Sequence, residues 1–65
     1  MEVDVTAVRL AMIDAGLSAG QLAKAANISK QTVIRYTHKG GNGNPVTLHK
    51  IGVALGVKPS SLVKT

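Results

Sequence analysis

The chain has 65 residues, with eight lysines or arginines against three aspartates or glutamates, a formal net charge of +5 and no cysteine. This length allows one domain with a small core, and the lack of cysteine excludes disulfides and thiolate metal ligands. The acidic start Met1-Glu2-Val3-Asp4 does not open a signal peptide, and no apolar run approaches the roughly 20 residues that span a bilayer, so we expect a cytoplasmic protein that does not enter membranes.

The chain divides into five short helical segments, and none of it alternates convincingly as a strand. Helix 1 is predicted from about Asp4, which can cap it, to about Ala15. Gly16 then suits a left-handed residue at the end of the helix. One helical face is formed at spacings of three, four and seven by Val8, Ala11, Met12 and Ala15.

Helix 2 is predicted over about 19–26. Ser18 and Gln21 match the capping box, in which Ser and Gln side chains reciprocally satisfy free backbone amides. Asn27 follows the helix, and asparagine is the residue that best replaces glycine at positive φ. The pattern predicts a tight turn after helix 2.

Helix 3 is predicted over about 30–39, with Ser29 as its N-cap. Val33 and Tyr36 are expected to point inward with Thr37 beside them. Polar and basic residues occupy the other sides, including one stripe formed by Gln31, Arg35 and His38. This composition is typical of a helix that reads a DNA groove.

Residues 40–44 form a loop by composition, and Asn44-Pro45 is typical of an N-cap followed by proline at the first helical position. Helix 4 is predicted from about Pro45 to Leu55, with Leu48, Ile51 and Leu55 as its core stripe and Gly56 as its end. Pro59 starts a last helical turn through Val63, for which Lys58 is a poor cap. The prediction is a single all-α domain over 1–65, a compact bundle of about five short helices.

The charges are unevenly distributed along the chain. The acids are Glu2, Asp4 and Asp14, and none occurs from 15 to 65. The same span holds Lys24, Lys30, Arg35, Lys39, Lys50, Lys58 and Lys64. Such an unneutralised positive surface attracts polyanions.

The residue types give little support to an enzyme. The two histidines, His38 and His49, fall on different predicted helices, and the acids lie at or before the end of helix 1. General acid-base catalysis and hydrolytic metal sites need such groups clustered. The glycine-rich segment 40–43 lacks the phosphate-loop pattern. We therefore expect no catalytic residue, cofactor, metal or small-molecule ligand.

These residues resemble the Cro/C1 (XRE-type) helix-turn-helix family of phage and bacterial regulators over about 8–63. The resemblance rests on Leu17-Ser18, Leu22-Ala23, Asn27-Ile28-Ser29, Thr32-Val33, Pro45-Val46-Thr47-Leu48, Ile51 and Ala54-Leu55-Gly56-Val57. It implies a lambda repressor-like bundle of five helices with helix 3 in the major groove of operator DNA.

Three features depart from this family. Ala19 stands where the family usually has a glutamine that contacts phosphate. Met12 and Thr37 stand where many members pair an arginine of helix 1 with a glutamate of helix 3, so both charges are expected to be absent together. The loop after helix 3 also differs in length from some members.

The family's base-contacting positions fall on Lys30, Gln31 and Arg35, with Thr32 as a lesser candidate. Arginine and lysine donate to guanine O6 and N7, and glutamine can bond adenine N6 and N7. The alternative for each is an ordinary solvated side chain. Candidate phosphate contacts are Ser29, Lys24, His38, Lys39, Asn42 and Asn44.

Three apolar residues lie off the predicted core. Ile34, on the polar side of helix 3, could contact a thymine methyl group or cover a dimer or intrahelical contact. Leu10 and Ile13 suggest a surface for self-association or for a partner.

The leading interpretation is a sequence-specific regulator of transcription that binds double-stranded DNA. We expect a repressor that binds a pseudo-palindromic operator as a homodimer and associates with the nucleoid. The alternative is a protein-interaction module, an adaptor or antitoxin-like subunit, that keeps the fold without reading bases.

Overall fold

The computed structural model describes residues 1–64 and shows an all-α bundle, as predicted. Within these residues, four α-helices and one 3₁₀ helix follow one another. They are α1 (Val5–Ala15), α2 (Ala19–Ala26), α3 (Lys30–His38), α4 (Pro45–Leu55) and the 3₁₀ helix (Pro59–Leu62). Helix α3 therefore ends one residue earlier than predicted, with Lys39 as its C-cap.

The predicted helix ends are confirmed by their hydrogen bonds. The Asp4 side chain accepts from the Ala7 amide and caps α1, and Gly16 closes that helix at φ +70°. Gly56 closes α4 in the same left-handed region, at φ +72°. The 3₁₀ helix begins without a side-chain cap, in agreement with the poor capping ability of Lys58.

One core joins all five helices. Its buried apolar residues are Val3, Val8, Ala11, Leu22, Ala23, Ala26, Val33, Tyr36, Leu48, Ile51, Leu55 and Leu62. The inward stripes predicted for α3 and α4 are confirmed. In α1 the stripe is shorter than predicted, because Met12 is half-buried and Ala15, the last residue of the helix, is exposed.

The N-terminal segment has a structural role that its sequence did not reveal. Residues 1–4 run extended between the loop after α3 and the 3₁₀ helix. The Val3 amide donates to the Gly41 carbonyl at 2.8 Å, and the Asp4 amide donates to the Leu62 carbonyl at 2.8 Å. Val3 is only 2% exposed. These bonds form isolated bridges rather than a strand, and so short a segment cannot show alternation.

Within residues 1–64, no helix is both long and apolar enough to cross a membrane.

Candidate nucleic-acid interface

Helix α3 buries one side and exposes the other. Val33, Tyr36 and Thr37 are buried, where α3 packs against α2 and α1. The opposite side, here called the α3 face, consists of Lys30, Gln31, Ile34, Arg35 and His38, all exposed. Because these residues follow the helical repeat, they form one continuous surface.

The caps of α2 and α3 and the turn between these helices are formed as predicted. Ser18 and Gln21 form both bonds of the capping box at the start of α2. Asn27 ends that helix at φ 57° and ψ 48°, in the left-handed region. The Ser29 hydroxyl accepts from the Thr32 amide at 3.1 Å and caps α3. These local bonds determine where α3 starts, and hence which residues occupy its first turn.

The four candidate base contacts differ in how free their side chains are. Lys30 and Gln31 are exposed and make no side-chain hydrogen bond within residues 1–64. Thr32 is half-buried, and its hydroxyl lies 2.7 Å from the Ser29 hydroxyl. Thr32 is thus the least available of the four.

Arg35 is held close to its own helix. Its guanidinium carbon lies 4.9 Å from the centre of the Tyr36 ring. A cation–π contact of this kind at an exposed site contributes on the order of 0.5–1 kcal/mol. Arg35 loses this contact when it extends toward a base edge. The loss is smaller than what a good bidentate pair with guanine typically contributes, about 1–3 kcal/mol.

The asparagine candidates have structural roles that leave their donors free. Asn44 Oδ1 accepts from the Val46 amide at 2.8 Å and from the Thr47 amide at 3.3 Å, which caps α4. Asn42 Oδ1 accepts from the Met1 amine at 2.8 Å. All three bonds use the side-chain oxygen, whereas a phosphate oxygen requires the Nδ2 donor.

The loop that carries these asparagines is fastened to α3. The Tyr36 hydroxyl accepts a hydrogen bond from the Asn44 amide at 2.9 Å. Because the Tyr36 ring is buried in the core, this bond holds the start of α4 in place relative to α3.

Lys24 and Lys39 are exposed near the ends of two helices. Lys24 lies in the last turn of α2, and Lys39 is the C-cap of α3. Neither makes a side-chain hydrogen bond or ion pair within residues 1–64, where the ion pair observed joins Lys64 to Glu2 at 3.4 Å. Both ammonium groups are therefore available to phosphates.

His38 is more constrained than its sequence position suggested. Its Nδ1 lies 2.9 Å from the Ile34 carbonyl oxygen. A carbonyl oxygen only accepts, so Nδ1 must carry the proton. In the neutral ring Nε2 is then an acceptor, and His38 can donate to a phosphate from Nε2 only as the imidazolium.

Arg9 makes a contact that sequence reasoning missed. Its Nε donates to the Thr37 carbonyl at 2.5 Å. Met12 and Thr37 stand where many family members pair two charges, and here an arginine one helical turn before Met12 reaches the Thr37 carbonyl, which α3 leaves free. The available signal was that Arg9 is the only cation in α1.

The acidic side chains lie outside the helix-turn-helix unit formed by α2 and α3. Asp4 caps α1, Glu2 pairs with Lys64, and Asp14 lies near the end of α1. Helices α2, α3 and α4 contain no carboxylate side chain. Within residues 1–64, no three His, Asp or Glu side chains cluster as metal ligands.

Comparison with family models agrees with this geometry. Residues 9–40 match the helix-turn-helix domain of resolvase. The matched span runs from α1 through the turn to the end of α3. This part of the chain is a helix-turn-helix domain of the DNA-binding type. The match supports that broader class and does not single out the Cro/C1 family. No curated protein sequence matches the chain significantly.

A solved structure shares the whole fold. It is that of a hydroxyethylphosphonate dioxygenase carrying one substitution, with a TM-score of 0.85 and 23% sequence identity. The match covers 100% of this chain and 14% of the enzyme chain. At this identity the likeness concerns the fold alone, and this chain spans only a small part of the enzyme's length.

Proposed function

We propose that this helix-turn-helix domain binds double-stranded DNA sequence-specifically, with α3 in the major groove. Lys30, Gln31 and Arg35 would read base edges, and Thr32 would assist. Phosphates would be held by Ser29, Lys24, Lys39, His38 and the amides of Asn42 and Asn44. No catalytic step, cofactor or metal is assigned to the domain.

The observation that carries this proposal is the composition of the α3 face. Lys30 and Gln31 stand exposed in the first turn of α3, whose start is determined by the Ser29 cap. No carboxylate side chain of α2, α3 or α4 opposes a polyanion. A helix of this kind on a helix-turn-helix scaffold is suited to the major groove.

The biological role proposed is that of a transcriptional repressor in the cytoplasm, resembling the Cro/C1 regulators of phages and bacteria. It would bind a pseudo-palindromic operator as a homodimer, so that two copies of α3 enter successive major grooves on one side of the duplex.

Ile34 has a defined place in this proposal. It lies in the middle of the α3 face and is 41% exposed. Polar neighbours at Lys30 and Arg35 flank it on the same surface. An aliphatic side chain in that position suits the C5-methyl group of thymine, which only the major groove presents.

A second function is favoured by a different observation. Leu10 and Ile13 of α1 are 56% and 73% exposed, and Ala19 lacks the polar side chain that could contact phosphate from the start of α2. These features fit a protein-interaction module that keeps the fold without reading bases. Such a module would show little affinity for any duplex even at low salt, whereas the leading proposal requires strong binding there.

Selection of duplexes from a random pool at near-physiological salt, followed by sequencing, tests the leading proposal. We expect one enriched motif with two inverted half-sites. The double variant Gln31→Ala/Arg35→Ala should lose the motif while staying folded by circular dichroism. The matched control is Lys50→Ala, which removes an exposed cation from α4 and should leave the motif unchanged. A folded wild-type protein that enriches no sequence would overturn specific recognition.

A further inference from the structure

The outer side of α1 is apolar and uncovered. Leu10 and Ile13, three residues apart, are 56% and 73% exposed. Apolar surface continues from Ile13 into an open groove of about 670 Å³, whose walls include Met12, Leu17 and Ala19. Helix α1 thus has a second apolar face, opposite the one that packs Val8 and Ala11 into the core.

Two opposite charges flank this face. Arg9 and Asp14 are five residues apart, one on each side of Leu10 and Ile13. Asp14 has no ion pair within residues 1–64, and Arg9 uses only its Nε, which leaves two Nη groups for another acceptor. In a pair of parallel helices, charged residues at these flanking positions meet across the seam, from one position to the position five residues later on the other helix.

We infer that α1 pairs with α1 of a second copy of this chain, in parallel, about a two-fold axis that runs along the helices. Leu10 would contact Leu10 of the partner subunit, and Ile13 would contact Ile13 of the partner subunit. Arg9 would face Asp14 of the partner subunit, and the reverse pair would form by symmetry. The inference supplies the dimer surface for the proposed regulator, and it is tested without DNA, so its failure and that of the proposed function are distinguishable.

Charge selects α1 over the exposed apolar residues of α4. On α4, Val46 and Val53 are 63% and 64% exposed. Their exposed neighbours are His49 and Lys50, with no acid on the helix. A cation of that face therefore finds no acid on α4 of a second copy. The α1 face carries one charge of each sign and is self-complementary.

Charge also selects the parallel orientation. In an antiparallel pair, each side of the seam meets the same side of its partner, which would place Arg9 near its own copy and Asp14 near its own copy. In a parallel pair, the Arg9 side of one helix lies against the Asp14 side of the other, so opposite charges meet.

The contact is small, which determines how it must be measured. Helix α1 has 11 residues and supplies two apolar layers. Interfaces below about 1,200 Å² of total buried surface are typical of weak, transient association. We therefore expect a dimer that forms at high protein concentration and is favoured when two copies bind one DNA.

The sharpest test uses the absence of cysteine from the chain. In Ile13→Cys, parallel pairing brings the two new thiols together across the axis, close to the separation a disulfide needs. Equilibration in a glutathione buffer at high protein concentration should give covalent dimer on non-reducing electrophoresis. Val53→Cys, similarly exposed on α4, is the control and should give at least fivefold less covalent dimer than Ile13→Cys.

The outcomes separate the alternatives. An antiparallel pair would link Leu10→Cys to Ile13→Cys in a mixture better than it links either variant to itself, which would contradict the parallel arrangement. Equal linking of Ile13→Cys and Val53→Cys would overturn the interface. An α1 reserved for a different partner would give that same result.

Sedimentation equilibrium gives an independent readout without cysteine. Wild type should show a dimer, whereas Ile13→Ser should show none. Asp14→Arg should weaken dimer association on the order of tenfold, because each ion pair is lost and replaced by repulsion. Val53→Ser should leave association unchanged. A wild-type chain that remains monomeric at every attainable concentration would refute the pairing.

Discussion

Arg9 of α1 donates its Nε–H to the Thr37 carbonyl in the last turn of α3, at 2.5 Å. This bond satisfies one of the carbonyls that a helix leaves without an intrahelical partner, and it places a positive charge where the helix dipole favours one. It also ties α1 to the C-terminal end of α3, while the Ser29 cap determines the N-terminal end of that helix. The candidate reading helix is thus held at both ends by side chains.

Replacing Arg9 should destabilise the fold. Arg9→Met keeps much of the aliphatic stem but removes the donor, so we expect the free energy of unfolding in urea to fall by about 1–2 kcal/mol. Lys50→Met, an exposed lysine of α4, is the matched control and should change stability by less than about 0.5 kcal/mol. Equal stability of Arg9→Met and wild type would show that the bond contributes nothing net.

Two helical glycines should respond in opposite directions to alanine. A Cβ at Gly52 would lie 2.7 Å from Pro59 Cγ and 2.8 Å from Pro59 Cα, whereas a Cβ at Gly20 would meet no atom of residues 1–64 within 4 Å. Gly52→Ala should therefore lower the free energy of unfolding by about 1–3 kcal/mol, since α4 and the 3₁₀ helix must move apart. Gly20→Ala should raise it by up to about 1 kcal/mol, because alanine favours the helix more than glycine does. Thermal unfolding of both variants measures this, and a stabilised Gly52→Ala would contradict the close packing.

The turn between α2 and α3 can be tested at Asn27. Its φ of 57° suits glycine and disfavours residues with a branched Cβ. Asn27→Gly should preserve or raise the free energy of unfolding, and Asn27→Val should lower it by at least about 1–2 kcal/mol. Chemical denaturation of the two variants gives the comparison, and a clear loss in Asn27→Gly would argue for a role of the amide side chain.

Arg35 should determine base preference. Arg35→Ala is expected to cost on the order of 1–3 kcal/mol at one or two base pairs of the selected site and little elsewhere. Binding to a panel of single-base operator variants measures this discrimination. A loss that is equal on every sequence would assign Arg35 to a phosphate instead.

Lys39 should act without regard to sequence. Lys39→Ala is expected to weaken binding to all duplexes and to reduce the slope of log K against log salt by about one unit. Titrations at several salt concentrations measure the slope. Lys58→Ala, which removes an exposed lysine just before the 3₁₀ helix, is the control. A changed base preference in Lys39→Ala would contradict a phosphate role.

The local features of the fold were predictable from the sequence. Capping boxes, left-handed ends and proline at a first helical position are decided by residues within one turn of each other. The bounds of α2 and α4 were therefore predicted correctly, and those of α1 and α3 to within one residue. The outward placement of Lys30, Gln31 and Arg35 followed from the helical repeat, which also placed Val33 and Tyr36 inside.

The contacts between distant segments were decided only in the tertiary structure. Arg9 and Thr37 are 28 positions apart, and no local pattern marks which carbonyl a flexible arginine reaches. Val3 lies in the core because residues 1–4 fit between the loop after α3 and the 3₁₀ helix, and the first four residues show no sign of this. Tertiary packing also determined that Thr32 is half-buried and that the His38 ring bonds its own helix. The sequence alone determined which residues α3 turns outward, since helical periodicity is local. How free each of those side chains is to meet DNA was decided by neighbours that only the folded chain brings together.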